Sequence, residues 1–407
     1  MRLSSPLSME PITLYSRLVL SRRTGRSRAP NRVSALIAEA RAAGREPLDL
    51  TGSNPTCVGL DYPAELLQVL REAQQASLTY RPEPCGALAA RRAVVGHLAT
   101  TRGPGAAVDA DDVLITASTS EAYAHLFKLL CDPGDQLLIP RPSYPLLEHL
   151  AELEGVTVVP YRLAYDGAWH IDLDSVRRAV SERTRGIVVV SPNNPTGQYQ
   201  TAQEMAALAE LGLPIIADQV FFEYPLETSA PSDVALGRDG LVFALGGLSK
   251  LAGLPQLKLA WTVMRGSESA VREARERLEL IADTFLSVAT PVQVALPELL
   301  ALAPRMNALI GGRCRENLAT LERALESSPL SVLRAEGGWS AVLRFPRLVS
   351  EEELMTALVA QHRVLVQPGW FYDFESEPYA IVSLLTPPEL LRAGVGRLLD
   401  YVGKLSR

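Results

Sequence analysis

The chain has 407 residues, enough for a large core and two domains, and its formal net charge of −6 argues against nucleic acid as a main partner. Four cysteines (Cys57, Cys85, Cys131, Cys314) and five dispersed histidines lack the spacing of a metal site, so no metal is expected. No apolar run reaches membrane-spanning length, and scattered thiols suit a reducing cytoplasm, so a cytoplasmic protein with no membrane partner is expected.

The first thirty residues are rich in Ser and Arg, with Arg17, Arg22, Arg23, Arg26 and Arg28, and lack the apolar core of a secretory signal. A transit peptide is the alternative to a flexible arm or first helix that packs on a partner. Asn31–Ala43 has an amphipathic pattern. From Asp112 to about Met264 short apolar runs alternate with helical patterns. The strands are expected at Val113–Thr116, Gln136–Ile139, Val156–Val159, Gly186–Val190, Pro214–Ala217, Leu241–Leu245 and Leu259–Met264. The helices are expected at Glu121–Leu130, Leu146–Glu154, Leu173–Val180 and Ala202–Leu211. Continuous Val/Ile/Leu runs imply strands buried on both faces, as in a mainly parallel seven-stranded sheet between helices, with ligands at the strands' carboxyl ends.

After about Pro291 the texture changes. A helix is expected at Arg305–Ser327, then extended segments at Val332–Ala335 and Trp339–Phe345. A helix at Glu351–Gln361, strands at Val364–Val366 and Tyr379–Leu385, and a closing helix from Pro388 complete a smaller α+β domain. The N-terminal segment is its expected partner. The resulting division is 1–50 as arm and part of the small domain, 51–295 as the large domain and 296–407 as the small one.

Four short motifs carry chemistry. Lys250, in Gly246-Gly247-Leu248-Ser249-Lys250, follows an apolar strand and sits among small residues. An amine in such a turn can condense with an aldehyde cofactor, although Ser-Lys is otherwise a common surface pair. Asp218 ends the strand Pro214–Ala217, where a carboxylate can hold a pyridinium N–H or merely cap a helix. Asn194, in Ser191-Pro192-Asn193-Asn194-Pro195-Thr196-Gly197, can donate to a phenolic oxygen, though the motif is also ordinary turn chemistry. Thr116-Ala117-Ser118-Thr119-Ser120-Glu121 opens a helix with small hydroxyl residues, suited to a phosphate or to plain N-capping.

Together these motifs resemble the class I/II pyridoxal-phosphate-dependent aminotransferases of the aspartate-aminotransferase fold, fold type I. The resemblance runs from Leu50-Thr51-Gly52-Ser53-Asn54-Pro55 to the C-terminal helix. It implies an α/β fold and pyridoxal 5'-phosphate held as a Schiff base by Lys250. It also implies a ping-pong transfer between a small-molecule amino donor and a keto acceptor. Asp218 is implied as the pyridine-nitrogen partner, Asn194 as the O3′ partner and Tyr144, in Pro142-Ser143-Tyr144-Pro145, as the stacking ring. Ser118, Thr119, Ser120 and Ser249 are implied at the phosphate, with Tyr80 of Tyr80-Arg81-Pro82-Glu83-Pro84-Cys85-Gly86 reaching the neighbouring subunit of a homodimer with shared active sites. Ser53 is implied at the substrate, and the family's cis prolines are expected at Pro142 and Pro195. A lyase, decarboxylase or cyclase of the same fold is the alternative, and a non-catalytic module a further one.

The sequence departs from the family pattern in three places. Phe221 stands where a tyrosine is usual, and Lys258 replaces the phosphate-binding arginine, keeping the charge without the bidentate fork. No arginine occurs in Ala380-Ile381-Val382-Ser383, where the family clamps the substrate carboxylate. Arg344, Arg363 or Arg28 of the N-terminal arm is a candidate replacement; otherwise the substrate lacks a free α-carboxylate. Asp283 is a candidate selector of the distal substrate group, or a solvated helix-end residue. Trp339, Trp370, Phe371 and Tyr372 are candidate pocket walls or core, with Trp370 favoured for the pocket.

Overall fold

The computed structural model of the protein describes residues 21–24, 32–102, 108–227, 233–235, 240–376 and 378–405. The chain enters through α1 (Arg32–Ala42), β1 (Leu48–Asp49), α2 (Glu65–Ala76) and α3 (Leu88–Thr101). Strands and helices then alternate. In order they are β2 (Val113–Thr116), α4 (Thr119–Leu130), β3 (Gln136–Arg141), α5 (Leu146–Glu154), β4 (Thr157–Tyr165), β5 (Trp169–Ile171), α6 (Leu173–Ala179) and β6 (Thr184–Val190). Next come α7 (Ala202–Ala209), β7 (Ile215–Asp218), β8 (Val242–Gly247), α8 (Leu248–Leu251) and β9 (Ala260–Arg265). Two long helices follow, α9 (Glu268–Phe285) and α10 (Thr290–Leu325). The last part holds β10 (Ser331–Val332), β11 (Ser340–Arg344), α11 (Glu351–Ala360), β12 (Val364–Leu365), β13 (Gln367–Pro368), β14 (Tyr379–Ser383) and α12 (Pro388–Leu405).

The large sheet has the order β2-β9-β8-β7-β6-β3-β4-β5. Its pairs β8–β7, β7–β6, β6–β3 and β3–β4 are parallel, while β9 runs antiparallel to both β8 and β2. The central strands are buried on both faces, with Ile187, Val188 and Val189 closed to solvent. All seven expected strands are present. The eighth, β5, is a three-residue return antiparallel to β4 and too short to leave a periodic signal.

Close strand packing fixes the lysine turn. A Cβ on Gly246 would stand 2.5 Å from the Trp261 indole nitrogen on β9, so β8 can lie against β9 there only with glycine. The smaller sheet, β10-β11-β14-β13, is antiparallel. It shares a core with α11, α12 and the second half of α10, through Ile310, Cys314, Leu321 and Leu325. Val33 and Leu50 join this core, and β1 pairs in parallel with β12, so these N-terminal residues pack on the C-terminal part.

Two helices differ from the sequence expectation. α9 was not anticipated, because its buried stripe of Val271, Ala274, Leu278 and Ala282 is diluted by Glu and Arg at the intervening positions. α10 begins fifteen residues before the expected Arg305, despite Pro297 and Pro304 inside it. Each proline removes an intrahelical donor, but α2 and α3 pack along this half and hold the helix through both positions. By length and composition α10 could span a membrane, yet Val292, Leu296, Leu299 and Leu300 are taken up by that packing.

Candidate active site

A cavity of about 320 Å³ opens at the carboxyl ends of the parallel strands. Its sides come from Thr51 and Ser53, the start of α4, the Ser143–Tyr144 loop, Asn194, the end of β7 and Lys250. The smaller sheet and its turns close it with Trp339, Ser340, Gln367, Phe371, Tyr372, Ile381 and Ser383.

Lys250 sits in the short helix α8 directly after β8. The chain contains four lysines, and Lys128, Lys258 and Lys404 are exposed while Lys250 is withdrawn. Its Nζ lies 5.5 Å from the centre of the Phe221 ring and 5.2 Å from that of Trp339. The Tyr224 hydroxyl donates to the Lys250 carbonyl at 2.6 Å and anchors the turn. Burial holds the Lys250 amine below the ordinary lysine range, and the Asp218 charge only partly restores it.

Asp218 closes β7, and its carboxylate reaches the cavity. Burial raises its carboxyl above the usual range; the Val220 N–H, the Tyr123 hydroxyl and Lys250 oppose that rise. The two donors stand at 3.1 Å from Oδ1 and 2.9 Å from Oδ2.

The two proline-rich turns are tied together by Asn193. The Arg141–Pro142, Ser191–Pro192 and Asn194–Pro195 peptide bonds are cis; Pro142 and Pro195 were expected to be so and Pro192 was not. Buried Asn193 accepts from the Ser143 hydroxyl at 3.1 Å and donates to the Pro142 carbonyl at 3.0 Å and to Thr196 at 2.9 Å. Tyr144 and Asn194 both face the cavity, the Tyr144 ring 6.0 Å from that of Phe371. Gly197 ends the turn at φ +75°, pressed against Ala335 and the Gly337 carbonyl, where no side chain fits. The smaller sheet grips the same loops. The Ser143 N–H donates to the Tyr372 carbonyl at 3.0 Å, and the Ser340 hydroxyl donates to Asn194 Oδ1 at 3.3 Å.

Of the residues singled out from sequence, Ser53, Thr119, Tyr144, Asn194, Asp218, Phe221, Lys250, Trp339, Phe371 and Tyr372 share the cavity. Ser118 caps α4, its hydroxyl accepting from the Glu121 N–H at 3.1 Å, while Ser120 and Ser249 are half-buried outside the lining. Lys258 is exposed, with a left-handed φ of 53°. Tyr80 is 71 % exposed in the loop before α3, and Asp283 is exposed near the end of α9. Trp370 lines a separate cavity with Arg32, Glu351 and Phe374, because its helical turn points Phe371 inward instead.

Neither Arg344 nor Arg363 lines the main cavity; both are exposed, and Arg28 lies outside the described residues. The lining has no arginine among the described residues, and the Ser383 hydroxyl there donates to the Gly52 carbonyl at 2.6 Å. Tyr123 and Gln367 were not anticipated. Tyr123 follows Thr119 by four positions, one helical turn, and that spacing was the available signal.

This arrangement fits a phosphorylated aromatic aldehyde. The start of α4 offers N–H groups without intrahelical acceptors, Asp218 offers a buried anion for a ring cation, and Lys250 offers a desolvated amine.

Residues 51–393 match the family described as aminotransferase class I and II. The alanine aminotransferase of Mycobacterium tuberculosis (strain ATCC 25618 / H37Rv) is 27% identical over 377 residues, covering 89% of this chain and 86% of that one. The glutamate-pyruvate aminotransferase AlaA of Escherichia coli (strain K12) is 27% identical over 358 residues, covering 84% and 87%. The structure of an alanine aminotransferase from Pyrococcus furiosus superimposes with a TM-score of 0.87 at 23% identity, over 95% of this chain and 100% of that one.

Replacing Asn193 by Ala strands the Ser143 and Thr196 hydroxyls and the Pro142 carbonyl in a buried place. A loss of about 2–3 kcal/mol of stability is expected, read from the urea midpoint at constant m. A loss under about 0.5 kcal/mol would show that Asn193 does not hold the two turns.

Proposed function

The chain belongs to the class I and II aminotransferases, and we propose that it moves an amino group between an amino acid or amine and a keto acid, with Lys250 carrying pyridoxal 5'-phosphate. One observation supports this most strongly: the single lysine withdrawn from solvent shares a cavity with the half-buried carboxylate of Asp218. When bound, the cofactor supplies an aldehyde for the substrate amine and a ring that accepts the electrons of the breaking Cα–H bond.

Asp218 would hold the ring nitrogen, Asn194 the phenolic oxygen, and Tyr144 one face of the ring. Thr119 and the first N–H groups of α4 would hold the phosphate, with Ser118 and Ser120 on either side of Thr119, Ser249 beside Lys250, and Lys258 as a cation without the bidentate fork. Phe221 packs beside Lys250 without a hydroxyl to offer. Because burial keeps the Lys250 amine less basic than a surface lysine, more of it is neutral near pH 7. In that form it would be the nucleophile that holds the cofactor and the base placed to take a proton from the substrate Cα. Ser53 and Phe371, with Trp339 and Tyr372, wall the substrate side and limit water.

We take residues 51–295 as the part that carries the cofactor and 296–407 with the N-terminal segment as the part that closes over it. The functional unit is proposed as a two-fold homodimer with Tyr80 of one protomer at the other's phosphate. Leu78, Tyr80 and Leu286 are 89 %, 71 % and 68 % exposed in the single chain, as residues awaiting a partner would be. Four free cysteines support a reducing compartment such as the cytoplasm.

Borohydride treatment of the cofactor-loaded protein is expected to fix the label on Lys250, and Lys250→Ala to lower turnover by about 10⁴-fold; a label on Lys128, Lys258 or Lys404 instead would refute the assignment. Asp218→Asn is expected to cost about a hundred-fold or more in turnover with an unchanged melting temperature, and near wild-type turnover would rule out its role. Sedimentation equilibrium is expected to give a dimer; a stable, fully active monomer would contradict the shared site.

A further inference from the structure

We propose that Tyr123 is a positioning residue for the cofactor's ring nitrogen, acting through the carboxylate of Asp218. This rests on the assignment of Asp218 as the nitrogen's partner.

Tyr123 lies in the first turns of α4, four residues after Thr119 and on the same face of the helix. It is 1% exposed, and its ring packs against Phe127 at 5.8 Å between centres. Its hydroxyl donates to Asp218 Oδ2 at 2.9 Å, while the Val220 N–H donates to Oδ1 at 3.1 Å. Both carboxylate oxygens are therefore fixed from the protein side. A carboxylate has roughly four lone-pair sites, and two are used here. The rest are left for the cavity that Asp218 lines.

The hydroxyl has a second effect. Burial favours the neutral acid, and a neutral acid cannot hold a cationic N–H by charge. A donated hydrogen bond favours the anion. Burial also drives the Tyr123 hydroxyl far above its ordinary range, so it stays a donor at any working pH. One helix thus presents the phosphate-side N–H groups at its start and, one turn later, the group that orients the anion for the ring.

A core-filling tyrosine would serve every ligand alike; a tyrosine that acts through Asp218 would serve only a ligand with a ring nitrogen. The test compares pyridoxal phosphate with its 1-deaza analogue, in which carbon replaces that nitrogen. Each is titrated against the full-length protein freed of cofactor, as wild type and as Tyr123→Phe, which keeps the ring and its packing.

The variant is expected to lose about ten-fold or more in affinity for pyridoxal phosphate and less than about two-fold for the analogue. Equal losses for both ligands, or no loss for either, overturn the proposal. If the wild type itself binds both ligands equally, Asp218 does not hold the nitrogen and the proposal falls with that assignment. If it binds neither, the cofactor assignment fails as a whole.

Discussion

A half-buried amine and a half-buried carboxylate in one cavity are the constraint on which the rest of the site depends. Neither Lys250 nor Asp218 is comfortable there. Burial lowers the basicity of the one and the acidity of the other, and each partly relieves the other. A chain does not withdraw two such groups from water for stability, since apolar residues of similar volume would do as well or better. They persist because the surroundings hold them. Tyr224 anchors the turn of Lys250, and Tyr123 and the Val220 N–H fix both oxygens of Asp218.

The cavity exists only because two bodies of structure meet. Strand ends and helix starts of the large sheet supply Lys250, Asp218, Asn194 and Thr119, while the antiparallel sheet supplies Trp339, Ser340, Gln367 and Ser383. The join is made at the cavity by Ser143 to Tyr372, Ser340 to Asn194 and Ser383 to Gly52, and beside it by the Glu336 and Gly337 N–H groups on the Gly197 carbonyl and the Arg334–Glu227 ion pair.

The strands and the motif residues were legible because their signals are local. Ile187, Val188 and Val189 are a continuous apolar run in any context, and Lys250, Asp218 and Asn194 each sit in a short motif at a strand's end. α9 and the early start of α10 were not legible in the same way. The first has too sparse a stripe, and the second has two prolines that a helix tolerates only with α2 and α3 packed beside it.

What the amino-acid order determined by itself was the alternation of strands and helices, the family and the polar residues at the strand ends, since each follows from neighbours within a few positions. What only the tertiary structure decided was partnership. Tyr123 meets Asp218 across 95 positions, and Phe371 enters the cavity where Trp370 does not. The lining carries no arginine among the described residues, with Arg344 and Arg363 directed elsewhere. These outcomes depend on how one element packs against another far away in the chain, and periodicity and motif spacing carry no record of that distance.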